Sequence, residues 1–110
     1  MRERVLIVED NKALAKLIAK KMNAHVDMDI VVTHSYAEAI EAIEENDDFF
    51  IALLDINLPD APDGEVVDYV LSKNILAIIL TGSVDENLKK LFIQKNIVDY
   101  LYRCAHLHFY

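Results

Sequence analysis

An α/β domain built on one parallel sheet is the fold class that the sequence predicts, and three observations predict it. Short apolar runs rich in β-branched residues recur along the chain, and amphipathic helical stretches separate them. The runs are apolar throughout rather than alternating with polar residues, which is how strands buried on both faces read. Strand–helix–strand alternation of this kind implies right-handed crossovers that cover both faces of the sheet.

The elements follow in order. The first strand is Val5-Leu6-Ile7-Val8. A helix is predicted from Lys12 to Met22, where Leu14, Leu17 and Ile18, with Ala13 and Ala15 as weaker members, keep the i, i+3, i+4 spacing of one face. Ile30-Val31-Val32 is the second strand, and Tyr36 to Glu45 repeats the helical pattern with Ala39, Ile40 and Ile43. Phe50-Ile51-Ala52-Leu53-Leu54 is the third strand, and the helix over Glu65 to Leu71 carries Val66, Val67 and Val70. The fourth strand is Leu76-Ala77-Ile78-Ile79-Leu80, followed by a helix from Asp85 to Gln94 with Leu88, Leu91 and Phe92. Val98-Asp99-Tyr100-Leu101 closes the series as a fifth strand. Only Arg103 to Tyr110 remain after it, too few for a packed helix. A missing or truncated fifth helix is therefore expected, with Leu101, Leu107 and Phe109 near a bare sheet face. The expectation is a single domain over residues 1–110, forming the N-terminal part of a longer protein.

Composition narrows the function classes. A hydrophobic fraction of 54% with 27% charged residues supports a buried core and excludes a disordered chain. The run from Ile75 to Leu80 is far short of the ~20 apolar residues a membrane helix needs, and the start has no signal-peptide core. The net charge of -8 argues against bare nucleic acid or anionic lipid as a partner. Cys104, the single cysteine, cannot form an internal disulfide and fits a reducing, cytoplasmic setting. His106 and His108 lack a third ligand and read as tail residues, while His25 and His34 fall in loops or at strand ends. The acidic stretch Glu41, Glu44, Glu45, Asp47 and Asp48 reads as a solvated helix face and its exit turn.

In an open parallel sheet the ligand crevice lies at the carboxyl ends of the strands. Strand one ends in Glu9-Asp10, strand three in Asp55-Ile56-Asn57-Leu58-Pro59, strand four in Thr81-Gly82, and strand five in Tyr100 and Arg103. Three carboxylates gathered in one crevice repel one another, so raised pKa values or a bound divalent cation are expected. An oxygen-lined site of this type suits Mg2+, which takes few protein ligands and keeps several waters. Each residue also has a plainer role: Asp10 as the N-cap of the first helix, Asp55 as a loop starter, Tyr100 as a core aromatic, Arg103 as a surface charge.

The series Val-Leu-Ile-Val-Glu9-Asp10, Leu-Leu-Asp55-Ile-Asn57-Leu-Pro59, Leu-Thr81-Gly82 and Asp-Tyr100-Leu-Tyr-Arg103 resembles the receiver domain of response regulators, from Arg4 to Arg103. The resemblance implies a flavodoxin-like, doubly wound five-stranded sheet in the order 2-1-3-4-5, a topology the family itself exemplifies. It also implies that Asp55 accepts a phosphoryl group from a sensor histidine kinase or a phosphotransfer protein. Glu9, Asp10, Asp55 and the backbone carbonyl of Asn57 would hold Mg2+. Thr81 would donate its hydroxyl to a phosphoryl oxygen, Arg103 would supply positive charge, and Thr81 and Tyr100 would carry the switch. The chain would modify itself rather than turn over substrate. It would control a covalently attached output domain in the cytoplasm, with a second copy of the chain as a further partner the resemblance admits. Two residues depart from the family pattern: Arg103 stands where a lysine is usual, and Cys104 where a proline is usual. Those departures motivate an alternative, a pseudo-receiver that binds proteins without phosphorylation. A phosphatase-type hydrolase is disfavoured because Asn57, not an acid, lies two residues after Asp55. A flavin carrier is disfavoured by the lack of a Ser/Thr/Gly-rich loop after strand one.

Overall fold

The computed structural model describes residues 4–25, 28–46 and 48–79, and the backbone of 99–100. The element order is β1 (Arg4–Val8), α1 (Lys12–His25), β2 (Asp29–Thr33), α2 (Tyr36–Glu45), β3 (Phe49–Leu54), α3 (Glu65–Ser72) and β4 (Leu76–Ile79). The strands pair in parallel in the order β2-β1-β3-β4, which is the α/β architecture that the apolar runs predict. The backbone of β5 (Asp99–Tyr100) pairs with Ile78 and Ile79 of β4. The helix expected over Asp85–Gln94, the rest of the fifth strand, and the expected lack of a fifth helix lie outside the described residues.

Strict alternation along the strands splits the core into two clusters. Leu6 and Val8 of β1, with Ala52 and Leu54 of β3 and Ala77 and Ile79 of β4, pack against Ala39 and Ile43 of α2 and Val66, Val67 and Val70 of α3. Val5, Ile7 and Leu53 point the other way and meet Ile18 of α1. Fully burying each of these larger side chains contributes about 1.5–3 kcal/mol. One irregularity interrupts the pattern: Arg4 pairs with Phe49 but Val5 pairs with Ile51, leaving Phe50 as an extra residue in β3. Phe50 is 43% exposed, and the shift lets Phe49 face the same cluster as Ala52.

The helices follow their apolar faces with two corrections, both in α1. There the buried side is Ala15 and Ile18, flanked by Leu14, Ala19 and Met22, whereas Ala13 is exposed and Leu17 is 42% exposed. At 3.6 residues per turn Leu17 lies roughly 130° around the helix from the middle of the Ala15–Ile18–Met22 side, so its apolar character does not place it inside. Ser35 caps α2, accepting from the Glu38 amide at 3.1 Å. The helix α3 starts at Gly64, whose φ of 75° is the left-handed conformation glycine takes without steric cost. Its end is a Schellman motif: Asn74 takes φ 60°, its amide donates to Leu71, and the Ile75 amide donates to Val70. Across the outer surface the Tyr69 hydroxyl donates to Glu44 Oε1 at 2.6 Å, and Lys73 lies 3.8 Å from the same oxygen, tying α3 to α2.

Candidate functional site

The parallel ladders end together and set the site. The Asp55 amide donates to the Val8 carbonyl at 2.8 Å, and the Glu9 amide donates to the Thr33 carbonyl at 3.0 Å. These two bonds continue the pairing of β1 with β3 and with β2 by one step past the regular strands. They bring Glu9 and Asp55 side by side at the carboxyl edge of the sheet. The Thr33 hydroxyl, buried, donates to the Ile7 carbonyl at 2.8 Å and closes the base of the β1–β2 end.

Glu9, Asp10 and Asp55 each bring one carboxylate oxygen into a group in which all these oxygens lie within 4.8 Å of one another. Glu9 is 5% exposed and Asp55 8% exposed, while Asp10 is open to solvent. Burial drives the electrostatics. Removal from water pushes Glu9 up to about 8, reinforced by the neighbouring Asp55 side chain and opposed by the hydrogen bond from the Asn11 amide. Burial also raises Asp55, and its side-chain hydrogen bond with Asp10 adds to the rise. Asp10 is held below its ordinary value, chiefly by that same hydrogen bond with Asp55. Without a cation, a proton held by the buried Glu9 carboxyl lowers the repulsion that three negative charges would otherwise create. The same oxygens suit a hard divalent ion: all are carboxylates, they converge, and one side is open for water ligands.

Asn57 is exposed, and its amide donates to Asp55 Oδ1 at 2.9 Å, fixing the rotation of the Asp55 side chain. The following turn, Leu58 to Ala61, is closed by the Ala61 amide donating to Leu58 at 3.1 Å, with Ile56, Leu58 and Ala61 buried as anchors. Among the sequence candidates, Glu9, Asp10, Asp55 and Asn57 are thus brought to one edge. Thr81, Gly82, Arg103 and Cys104 lie outside the described residues, as does the side chain of Tyr100.

Three further residues surround the site. Asn11, not Asp10, caps α1: its Oδ1 accepts from the Leu14 amide at 3.0 Å, which leaves the Asp10 carboxylate for the pocket. Either residue reads as a cap in sequence, and only the position of the first helical turn decides. His34 directs Nδ1 at the Glu9 carbonyl, 3.0 Å away, so Nδ1 carries the hydrogen. Asp60 accepts from the amides of Tyr36 and Ala37, both at 3.0 Å. No local pattern announces either contact, because the partners are more than 20 residues apart in the chain.

A sequence model of the response regulator receiver domain matches residues 5–107. Among solved structures, a signal receiver domain from Vibrio parahaemolyticus is similar at 31% identity, with a TM-score of 0.80 over 92% of this chain and 78% of that one. A response regulator receiver domain protein from Methanospirillum hungatei JF-1, at 23% identity, shares the fold with a TM-score of 0.79 over 92% of this chain and 81% of that one. A two-component system response regulator/GGDEF domain protein matches at 25% identity with a TM-score of 0.76 over 91% of this chain. The chain spans only 40% of that protein's length. Among curated proteins, no sequence matches.

Proposed function

The chain belongs to the response regulator receiver domain family, and from that premise we propose that it accepts a phosphoryl group on Asp55 and passes the change to an attached output domain. The observation that carries the reading is the convergence of Glu9, Asp10 and Asp55 within 4.8 Å at the carboxyl edge of the sheet. A carboxylate oxygen of Asp55 attacks phosphorus of a phosphohistidine on a sensor histidine kinase or phosphotransfer protein. The P–N bond breaks, an acyl phosphate P–O bond forms, and the freed imidazole takes a proton from solvent. The Asn57 backbone amide donates to Asp55 Oδ1, which would orient the carboxylate for the attack. Phosphoryl transfer is mostly positioning and charge neutralisation, and Mg2+ bound here would supply that neutralisation. Glu9, Asp10 and Asp55, with the backbone carbonyl of Asn57, would hold the ion. Thr81 as hydroxyl donor, Arg103 as the positive charge, and Thr81 with Tyr100 as the switch complete the reading by family resemblance. The five-stranded order 2-1-3-4-5, a cytoplasmic location and the status of residues 1–110 as one receiver unit of a longer protein belong to the same proposal. No described helix is long and apolar enough to cross a membrane, which is compatible with it.

Intact mass after treatment with acetyl phosphate or phosphoramidate tests the reading. The expected result is a gain of about 80 Da that requires Mg2+ and disappears in Asp55→Asn. A folded protein that binds Mg2+ but gains no mass would instead favour a phosphorylation-independent binding module, the role that Arg103 and Cys104 motivate.

A further inference from the structure

The first turn of α2 is joined to both loops that carry the acidic pocket. On one side the His34 ring, at the entrance to the helix, donates to the Glu9 carbonyl at 3.0 Å. On the other, the Asp60 carboxylate straddles the helix end, with Oδ1 accepting from Tyr36 and Oδ2 from Ala37, both at 3.0 Å. The cap is non-local, because Asp60 comes from the loop that follows Asp55. It is also additional to the local cap, since Ser35 already accepts from the Glu38 amide. Helix termini leave four amides without an intrahelical partner, and here a distant carboxylate takes two of them. Those two bonds hold Asp60 below its ordinary pKa, as expected of a carboxylate that accepts from two backbone amides.

We propose that Asp60 is a positioning residue for the acidic pocket: with His34 it makes the first turn of α2 a brace that fixes the loop after β1 against the loop after β3. The inference rests on the reading of Glu9, Asp10, Asp55 and Asn57 as a cation site, and it adds a residue outside that set. Glu9 and Asp10 leave the sheet on one of these loops, Asp55 and Asn57 on the other. The strand ladders fix where the loops begin. The Asp60 clamp fixes the far side of the Leu58–Ala61 turn, three residues beyond the Asn57 carbonyl. Groups that hold ligand-bearing segments in place tune metal affinity without touching the metal.

The test compares Mg2+ affinity, by isothermal titration calorimetry at 25 °C, with melting temperature in the wild type, Asp60→Ala, Asp60→Asn and Ser35→Ala. Ser35→Ala removes the local cap of the same helix and leaves the clamp in place. The expected result is a weakening of Mg2+ binding of roughly 5- to 10-fold in Asp60→Ala, at the low end of coupling between sites. Asp60→Asn, which keeps one acceptor oxygen, should lie between. Ser35→Ala should lower the melting temperature yet bind Mg2+ as the wild type does. Equal Mg2+ affinity in Asp60→Ala and wild type, with a lowered melting temperature, would reduce Asp60 to a cap and overturn the proposal while leaving the cation site intact. A wild type that binds no Mg2+ would remove the cation site and the proposal together. If Asp60→Ala does not fold, the contrast between Asp60→Asn and Ser35→Ala decides in the same way.

Discussion

Replacing Glu9 by glutamine tests the electrostatics of the pocket most directly. In the folded protein, burial lifts Glu9 from its ordinary 4.5 to about 8. Between those two pH values the folded state keeps a proton that the unfolded chain has released. Stability therefore falls as pH rises through this window, and the loss is complete above about pH 8. Multiplying the distance between the two values by about 1.4 kcal/mol per pH unit gives an upper bound of about 5 kcal/mol. Relaxation of the pocket and sharing of protons with Asp55 lower the expected loss to roughly 2–4 kcal/mol. The substituted amide would keep an oxygen to accept from the Asn11 amide, as Glu9 Oε2 does at 3.1 Å, but it cannot ionise. Urea unfolding followed by far-UV circular dichroism, with EDTA present, measures both proteins between pH 5 and 9. The wild type should lose stability across the range and Glu9→Gln should lose much less. The net charge of -8 affects both proteins almost equally, so the difference between the curves isolates Glu9. Parallel curves would refute the assignment of a buried, proton-holding Glu9.

Three other outcomes follow from the same geometry. Saturating Mg2+, at ~100 times its Kd, should stabilise the wild type by about 2.7 kcal/mol, and Asp10→Asn should abolish most of the gain; thermal melts with and without EDTA check this. Leu58→Ala, which empties a fully buried anchor of the loop after Asp55, should cost about 2–5 kcal/mol in chemical denaturation. The Tyr69 phenol, raised to about 12 by burial and by its bond to Glu44, should ionise later than an ordinary tyrosine in an ultraviolet pH titration. Glu44→Gln should bring that ionisation earlier, and an unchanged titration would count against the contact.

Much of the fold could be read before any coordinates because β1, β3 and β4 are apolar on both faces, and only a covered parallel sheet buries both. The parallel sheet in turn made Glu9, Asp10 and Asp55 neighbours, since strand ends share an edge. Legibility stopped where a decision depended on geometry between distant segments. Leu17 keeps a helical spacing with Leu14 and Ile18 yet faces outward, because spacing alone does not say which side meets the sheet. Asp10 and Asn11 are both good capping residues, and a shift of one position in the helix start separates the cap from a member of the acidic group. The clamp from Asp60 to Tyr36 and Ala37 has no signature in either segment. The stop of α3 at Asn74 comes from the left-handed backbone and the paired Schellman bonds, which the helical spacing of Val66, Val67 and Val70 does not announce.

The extra residue in β3 has a consequence for how this sheet tolerates change in length. Because Phe50 sits outside the β1 register, Phe49 already faces the side it would face if Phe50 were deleted. The amino-terminal rim can therefore gain or lose a residue there without inverting the strand beyond it. The carboxyl-terminal rim has no such slack, since Asp55 is locked to Val8 and Glu9 to Thr33 in unbroken register. A change in length at the amino-terminal end of β3 would leave the acidic group at the carboxyl end in register.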